Sequence, residues 1–152
     1  MSGTSERLKI LVLHGPNLNL LGRREPHIYG ATTLAQIDER LRAVAAELNV
    51  EIETFQSNHE GALVDRLQAA MDVASGCLIN PGALTHTSVA LHDCIKAMPF
   101  PVVEVHLSNP QAREEFRKRS ITGEAAAAAV MGLGWRSYTT ALRGLVDLIR
   151  ES

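Results

Sequence analysis

The chain has 152 residues, 45% of them hydrophobic and 21% charged, and a formal net charge of −2. That is the size of one domain, with enough apolar surface to build a core without disulfides. The balance offers nucleic acid no basic field, and the longest apolar run, 125–133, is too short to cross a bilayer.

The polar residues 1–7 lack the apolar stretch of a secretory signal and read as a flexible tail. Ile10-Leu11-Val12-Leu13 reads as a buried parallel strand over 8–14. Pro16 stops it, because proline cannot donate to a ladder. Residues 15–32 are the one long irregular connection, which in a compact domain marks a functional loop or lid. Asn17 and Asn19 bring amides to its start, and Gly22 and Gly30 are its candidate hinges.

Over 33–48, Leu34, Ile37, Leu41, Val44, Ala45 and Leu48 recur at helical spacing, with Thr33 and Gln36 as a capping box. Residues 50–55 alternate apolar and polar, the pattern of a strand with one less buried face. Ser57 and Glu60 offer a second capping box, for a helix that turns Leu63, Leu67, Ala70, Met71 and Ala74 inward. A short buried strand, 77–80, ends at Pro81-Gly82, and a helix follows over 87–97. The fourth strand spans 101–106. Asn109 and Pro110 then open a further helix, proline being best tolerated at the first position. Residues 125–132 read as a fifth strand, although their alanines favour helix. The last helix covers 135–150, with Tyr138, Ala141, Leu142, Leu145 and Ile149 inward. Strict alternation of strand and helix predicts a single α/β domain, a parallel sheet covered on both faces.

Three strands end in polar residues, near Asn17, at Asn80 and at His106, and a parallel sheet brings those ends to one rim. Along the fourth strand Glu104 and His106 share a face. A carboxylate beside an imidazole favours its protonated form, as a general acid near neutral pH requires. A structural ion pair at a strand end is the equal alternative. On the following helix Arg113 and Arg117 stand one turn apart, Glu114–Lys118 and Glu115–Arg119 can pair, and Glu114 also partly offsets Arg117, which leaves two arginines facing one way to welcome an anionic or polyhydroxyl ligand. Backbone N–H groups after Leu107-Ser108-Asn109 add an anion site. His86 either presents its ring to the rim or belongs to a hydroxyl-rich helix cap. His86 and His92 lack metal-ligand spacing. Cys77 and Cys94 lack it too and read as buried free thiols, in keeping with a reducing, cytoplasmic setting. Tyr29 follows Arg23 and Arg24 in the loop. A phenol titrates near 10, so a tyrosinate base at neutral pH needs a lowering of roughly 3 units, about 4 kcal/mol, for which a desolvated arginine is an adequate source.

The run Gly15-Pro16-Asn17-Leu18-Asn19-Leu20-Leu21-Gly22-Arg23-Arg24-Glu25-Pro26, with Tyr29-Gly30, resembles the signature of the type II 3-dehydroquinate dehydratases. Gln56-Ser57-Asn58-His59-Glu60-Gly61, Asn80-Pro81-Gly82-Ala83, Thr85-His86-Thr87-Ser88-Val89-Ala90-Leu91, Glu104-Val105-His106-Leu107-Ser108-Asn109 and Ala112-Arg113-Glu114-Glu115-Phe116-Arg117 follow in the family's order. The resemblance implies a flavodoxin-like three-layer sandwich with a five-stranded parallel sheet in the order 2-1-3-4-5. It implies a lyase that removes water from 3-dehydroquinate in the trans sense, through an enolate, and yields 3-dehydroshikimate. By the same resemblance Tyr29 is the base and Arg24 supports the tyrosinate and enolate, with Arg113 as helper. Asn17 steadies the enolate through a water, His106 is the acid, and Glu104 orients it. Asn80, His86, Leu107, Ser108 and Arg117 contact substrate, and Asp93 reaches a neighbouring subunit's site. The family needs no cofactor and assembles as a homododecamer, a tetramer of trimers.

The chain departs from that pattern at Leu84, where an aromatic is frequent, at Pro110-Gln111, at Ile121, where tyrosine is common, and in the alanines 125–129. None of these removes a proposed catalytic residue. A silent member that binds quinate-like ligands is the alternative. A nucleotide-binding flavodoxin-like protein is disfavoured by the lack of GxGxxG or GxxxxGK[ST]. An imine route is disfavoured because Lys9, Lys96 and Lys118 all fall away from the predicted rim.

Overall fold

The computed structural model describes residues 7–23, 25–29 and 31–152, with the backbone alone for Pro26 and Tyr29. The expectations for the first six residues, for Arg24, for Gly30 and for the Tyr29 side chain lie outside the described residues.

Strands β1 (Lys9–His14), β2 (Glu51–Gln56), β3 (Gly76–Asn80), β4 (Val102–His106) and β5 (Ala128–Met131) form one sheet in the order β2-β1-β3-β4-β5, and every pairing is parallel. Helices α1 (Pro26–Tyr29), α2 (Leu34–Leu48), α3 (Glu60–Ala69), α4 (Val89–Lys96) and α5 (Arg136–Glu151) complete the chain. The sheet divides the core in two. Ile10, Val12, Leu78, Val103 and Val105 pack under Ile37, Leu41, Tyr138, Leu142 and Leu145 of α2 and α5. Leu11, Leu13, Cys77, Ile79 and Val102 pack under Leu63, Leu67, Leu91 and Ile95 of α3 and α4. Alternation along each strand is what feeds the two layers.

The capping box at Thr33 forms as expected. Its side chain accepts from the Gln36 N–H, and the Gln36 side chain accepts from the Thr33 N–H. The box expected at Ser57 and Glu60 does not. His59 is the N-cap of α3, Ser57 Oγ accepts from the His59 N–H, and Glu60 accepts from Ser88 Oγ at 2.5 Å. Glu60 is thereby used to tie α3 to the start of α4, a tertiary contact that outweighs the local one. Because α3 ends at Ala69, Met71 is 38% exposed instead of inward. The long connection holds a 3₁₀ turn at Leu18–Leu20 and the single-turn helix α1.

The largest departure lies after β4. Two 3₁₀ turns, Pro110–Ala112 and Glu115–Arg117, replace the expected helix, although Asn109 does cap the first with its side chain on the Gln111 N–H. Arg113 between them is extended, at φ −107° and ψ −164°. Alanines 128 and 129 form a strand despite their helix propensity, because β5 completes the ladder on β4. Tertiary pairing outweighs a few tenths of a kcal/mol per residue.

Candidate active site

The sheet order reverses between β1 and β3, and in open α/β sheets ligands bind outside the strand ends at such a switch point. Here the two strand ends close tightly on each other. The Gly15 N–H donates to the Asn80 carbonyl at 2.7 Å, and a Cβ on Gly15 would lie 2.6 Å from the Pro81 oxygen. Gly82 adopts φ +59° with its α-carbon turned to the Pro16 carbonyl, where a Cβ would sit 2.9 Å away. Both positions are therefore reserved for glycine. The resulting rim opens into a cleft of about 150 Å³ lined by Pro16, Asn17, Gly82, Ala83, His86, His106, Ser108, Pro110, Arg113 and Arg117. A wider cleft of about 590 Å³ adjoins it through Ser108 and Arg113 and extends past Leu107 to Ile28 of α1 and Trp135. A groove of about 460 Å³ between Lys9, Glu51 and Arg66 lies at the opposite end of the strands.

Glu104 and His106 meet as the strand alternation predicts. Glu104 is fully buried, and its Oε2 accepts from His106 Nε2 at 2.8 Å, Ser120 Oγ at 2.7 Å and Thr85 Oγ1 at 3.0 Å. Its Oε1 accepts from Thr122 Oγ1. Burial by itself would raise the carboxyl pKa. The hydrogen bond and positive charge of His106, with the hydroxyls of Ser120 and Thr122, outweigh it and hold the group below its ordinary value. The carboxylate is thus ionised and locked in place, and only Nδ1 of His106 remains for a ligand in the cleft.

A carboxyl depressed in the folded state adds stability above its unfolded pKa, near 4.5, and that stability is lost as pH falls through the folded value. Glu104→Gln removes this titration. In thermal unfolding between neutral pH and pH 3, the gap in midpoint between the parent and Glu104→Gln should narrow as pH drops below about 4.5. A constant gap would place the acid sensitivity in other carboxylates.

The hydroxyl cage was not read from the sequence. Thr85 figured only as part of a helix cap, and Ser120 and Thr122 had no role. Their signal, two hydroxyl residues spaced two apart after a basic stretch, is too common to single out. Around the loop, Gln56 Nε2 donates to the Gly15 carbonyl and to Asn58 Oδ1, each at 3.2 Å, and Asn58 Oδ1 also accepts from the Asn17 N–H at 3.0 Å. This clamp holds Asn17 at φ +69°, exposed at the cleft.

His86 lies at the cleft, with its Nδ1–H donating to the Arg119 carbonyl at 2.8 Å, which leaves Nε2 for a ligand. Arg113 and Arg117 both line the cleft, but by way of the two 3₁₀ turns and not one helix face. Glu114 stands beside Arg117 as expected, while the partners of Lys118 and Arg119 differ from expectation. Arg117 Nε is 2.9 Å from Glu114 Oε2, an ion pair without the alignment of a hydrogen bond. Arg113 approaches Glu114 at 3.7 Å and Glu25 at 3.9 Å. Lys118 pairs with Glu115 and Arg119 with Glu124. No long helix starts at Asn109, so its dipole does not contribute an anion site, and the two guanidinium groups supply the positive charge. Ser108 lines both clefts and Leu107 the wider one. Asn80 sits buried beneath the rim with its Oδ1 on the Gly82 N–H at 3.1 Å. Asp93 is exposed on α4, outside the cleft of its own chain.

Among the described residues no three His, Cys, Asp or Glu side chains gather as a metal site would require, and no lysine lines the cleft. Nor is any described helix long and apolar enough to cross a membrane. Both cysteines are buried and unpaired, and burial pushes the Cys77 thiol far up.

The sheet and its helices make a three-layer, flavodoxin-like α/β sandwich whose strand-end rim carries a locked carboxylate–imidazole pair and two arginines. The chain belongs to the class II dehydroquinase family, whose model matches residues 8–146. It is 52% identical over 142 residues to a 3-dehydroquinate dehydratase of Desulforudis audaxviator, covering 93% of this chain and 95% of that protein. It is 53% identical over 133 residues to a catabolic 3-dehydroquinase of Aspergillus oryzae, covering 88% and 87%. The type II dehydroquinase of Butyrivibrio crossotus superposes with a TM-score of 0.91 at 40% identity, over 93% of this chain and 99% of that one.

Proposed function

We propose that the chain is a 3-dehydroquinate dehydratase that removes water from 3-dehydroquinate to give 3-dehydroshikimate. The observation that carries this reading is the Glu104–His106 pair, caged by three hydroxyls and opening onto a cleft that Arg113 and Arg117 make positive.

Elimination beside a ketone needs a base, a stabiliser for the enolate oxygen and an acid for the departing hydroxyl. Tyr29, as tyrosinate, removes the proton next to the carbonyl, and the C–H electron pair moves into the enolate. Arg24 keeps the phenol ionised, with Arg113 assisting. Asn17, through a water, supports the enolate oxygen. As the enolate collapses and the C–O bond breaks, the His106 imidazolium gives its Nδ1 proton to the hydroxyl and water leaves. His106 keeps its Nε2–H, donated to Glu104, throughout, so the same pairing serves it before and after transfer. Asn80, His86, Leu107, Ser108 and Arg117 hold the substrate, and trans geometry follows from base and acid standing on opposite sides of the ring.

Asp93 serves the site of a neighbouring subunit, within a cytoplasmic homododecamer built as a tetramer of trimers. An exposed carboxylate outside its own cleft suits that role.

The test is direct. Protein mixed with 3-dehydroquinate should generate the absorbance of a conjugated enone, with no added cofactor. No signal above the protein-free rate, from folded protein, would overturn the reading.

A further inference from the structure

The sheet rim carries a second buried network, on the face opposite Glu104 and His106, and the proposed reaction uses none of its members except Asn80. His14 ends β1 and is register partner to Asn80 at the end of β3. Its ring is 1% exposed, with Nε2 2.8 Å from Asp38 Oδ1 on α2 and Nδ1 2.8 Å from the Tyr138 hydroxyl on α5. Tyr138 is fully buried, and the Asn80 side chain, on the same sheet face as His14, lies close enough to its hydroxyl to offset part of the effect of burial.

The Asp38 carboxylate can only accept, so His14 donates to it from Nε2 and takes the Tyr138 hydroxyl proton on Nδ1. The Gly82 N–H can only donate, so Asn80 turns its Oδ1 to Gly82 and leaves its NH₂ on the side of the Tyr138 oxygen. Burial keeps the phenol protonated, its pKa pushed far up. Three groups from β1, α2 and α5 thus form one chain, with each proton pointing toward Asp38, and Asn80 of β3 lies beside it. A polar chain sealed in this way costs much if any link is broken, because the groups left behind are buried without partners.

What the chain holds is the site. Asn80 carries the Gly82 N–H on its side chain and the Gly15 N–H on its carbonyl, and Gly82, Ala83 and Pro16 line the cleft. We propose that Tyr138, His14 and Asp38 are positioning residues that fix the Asn80 carboxamide and, through it, the Pro81–Gly82 turn against which substrate binds. This rests on the dehydratase reading and extends it to residues that never touch substrate. The turn meets the ligand in ground state and transition state alike, so loosening it weakens binding more than it slows chemistry.

The experiment compares steady-state kinetics on 3-dehydroquinate for the parent, Tyr138→Phe, Asp38→Asn and Asp38→Leu, with circular dichroism and thermal unfolding on each. Tyr138→Phe should raise KM about tenfold while kcat stays within about threefold. Asp38→Asn keeps an oxygen for His14 to donate to and should keep the parental KM, whereas Asp38→Leu should behave as Tyr138→Phe. A folded Tyr138→Phe protein with parental KM overturns the proposal. Should Tyr138→Phe fail to fold, the Asp38 pair decides, since equal KM values for Asp38→Asn and Asp38→Leu overturn it as well. A parent without activity overturns the dehydratase reading and this proposal with it, whereas an active parent with an unmoved KM series overturns this proposal alone.

Discussion

His106→Gln should lower kcat by about 10²–10⁴, the range by which a positioned general acid speeds proton transfer, and should leave KM little changed. The substitution is chosen for what it preserves. A glutamine amide can still donate to the Glu104 carboxylate, so the buried charge keeps a partner and the hydroxyl cage of Thr85, Ser120 and Thr122 stays closed. It cannot release a proton near neutral pH. The loss is therefore confined to the step in which hydroxide must depart, and binding through Arg113, Arg117 and His86 persists. Steady-state kinetics on 3-dehydroquinate, with thermal unfolding as the control on folding, makes the check. A kcat within threefold of the parent would show that water leaves without help from the imidazole, and the Glu104–His106 pair would then be structural.

Tyr29→Phe should lower turnover by a comparable factor, about 10²–10⁴ or more, while a non-reacting quinate analogue still binds. The reasoning is chemical. A proton beside a ketone is removed only by a competent base, and a phenol becomes one near pH 7 only if its pKa falls from about 10 by roughly 3 units, or about 4 kcal/mol. Positive charge close to the phenolate provides that, and Arg24 stands five residues away in the chain. Phenylalanine keeps the ring and removes only the oxygen, so contact with the substrate survives. Solvent deuterium exchange at the carbon beside the carbonyl isolates this step from departure of water. Loss of turnover with exchange still running would assign proton removal to another group, and near-parental turnover would reject Tyr29 as base outright.

These two residues differ in how far each can be followed from sequence to geometry. His106 and Glu104 were legible because a strand alternates strictly, so two residues apart means one face, and the structure puts them 2.8 Å apart. The convergence of Asn17, Asn80 and His106 on one rim was legible for a related reason, since parallel strands end on the same side. The stretch after β4 departs from its local pattern. A capped proline, arginines four apart and acids between them fit a helix, yet Arg113 is extended and two short turns bring both arginines to the cleft. Local pattern there competed with the need to lay the segment across the sheet rim, and the tertiary contacts prevailed. Ser57 and Glu60 teach the same lesson. The capping box was available, and Glu60 took Ser88 instead.

By itself the sequence determined the element order, the parallel α/β architecture, the two-layered core and the pairing of Glu104 with His106, because each is written in periodicities of two or 3.6 residues that a short window contains. The tertiary structure alone decided that Ser120 and Thr122 seal Glu104, that Gln56 and Asn58 clamp Asn17, and that Asp38, His14 and Tyr138 form one directed chain beside Asn80. His14 and Tyr138 lie 124 residues apart in the chain. No local period reaches that far, and their meeting depends on strand order, on which face each helix covers and on side-chain direction at the sheet rim.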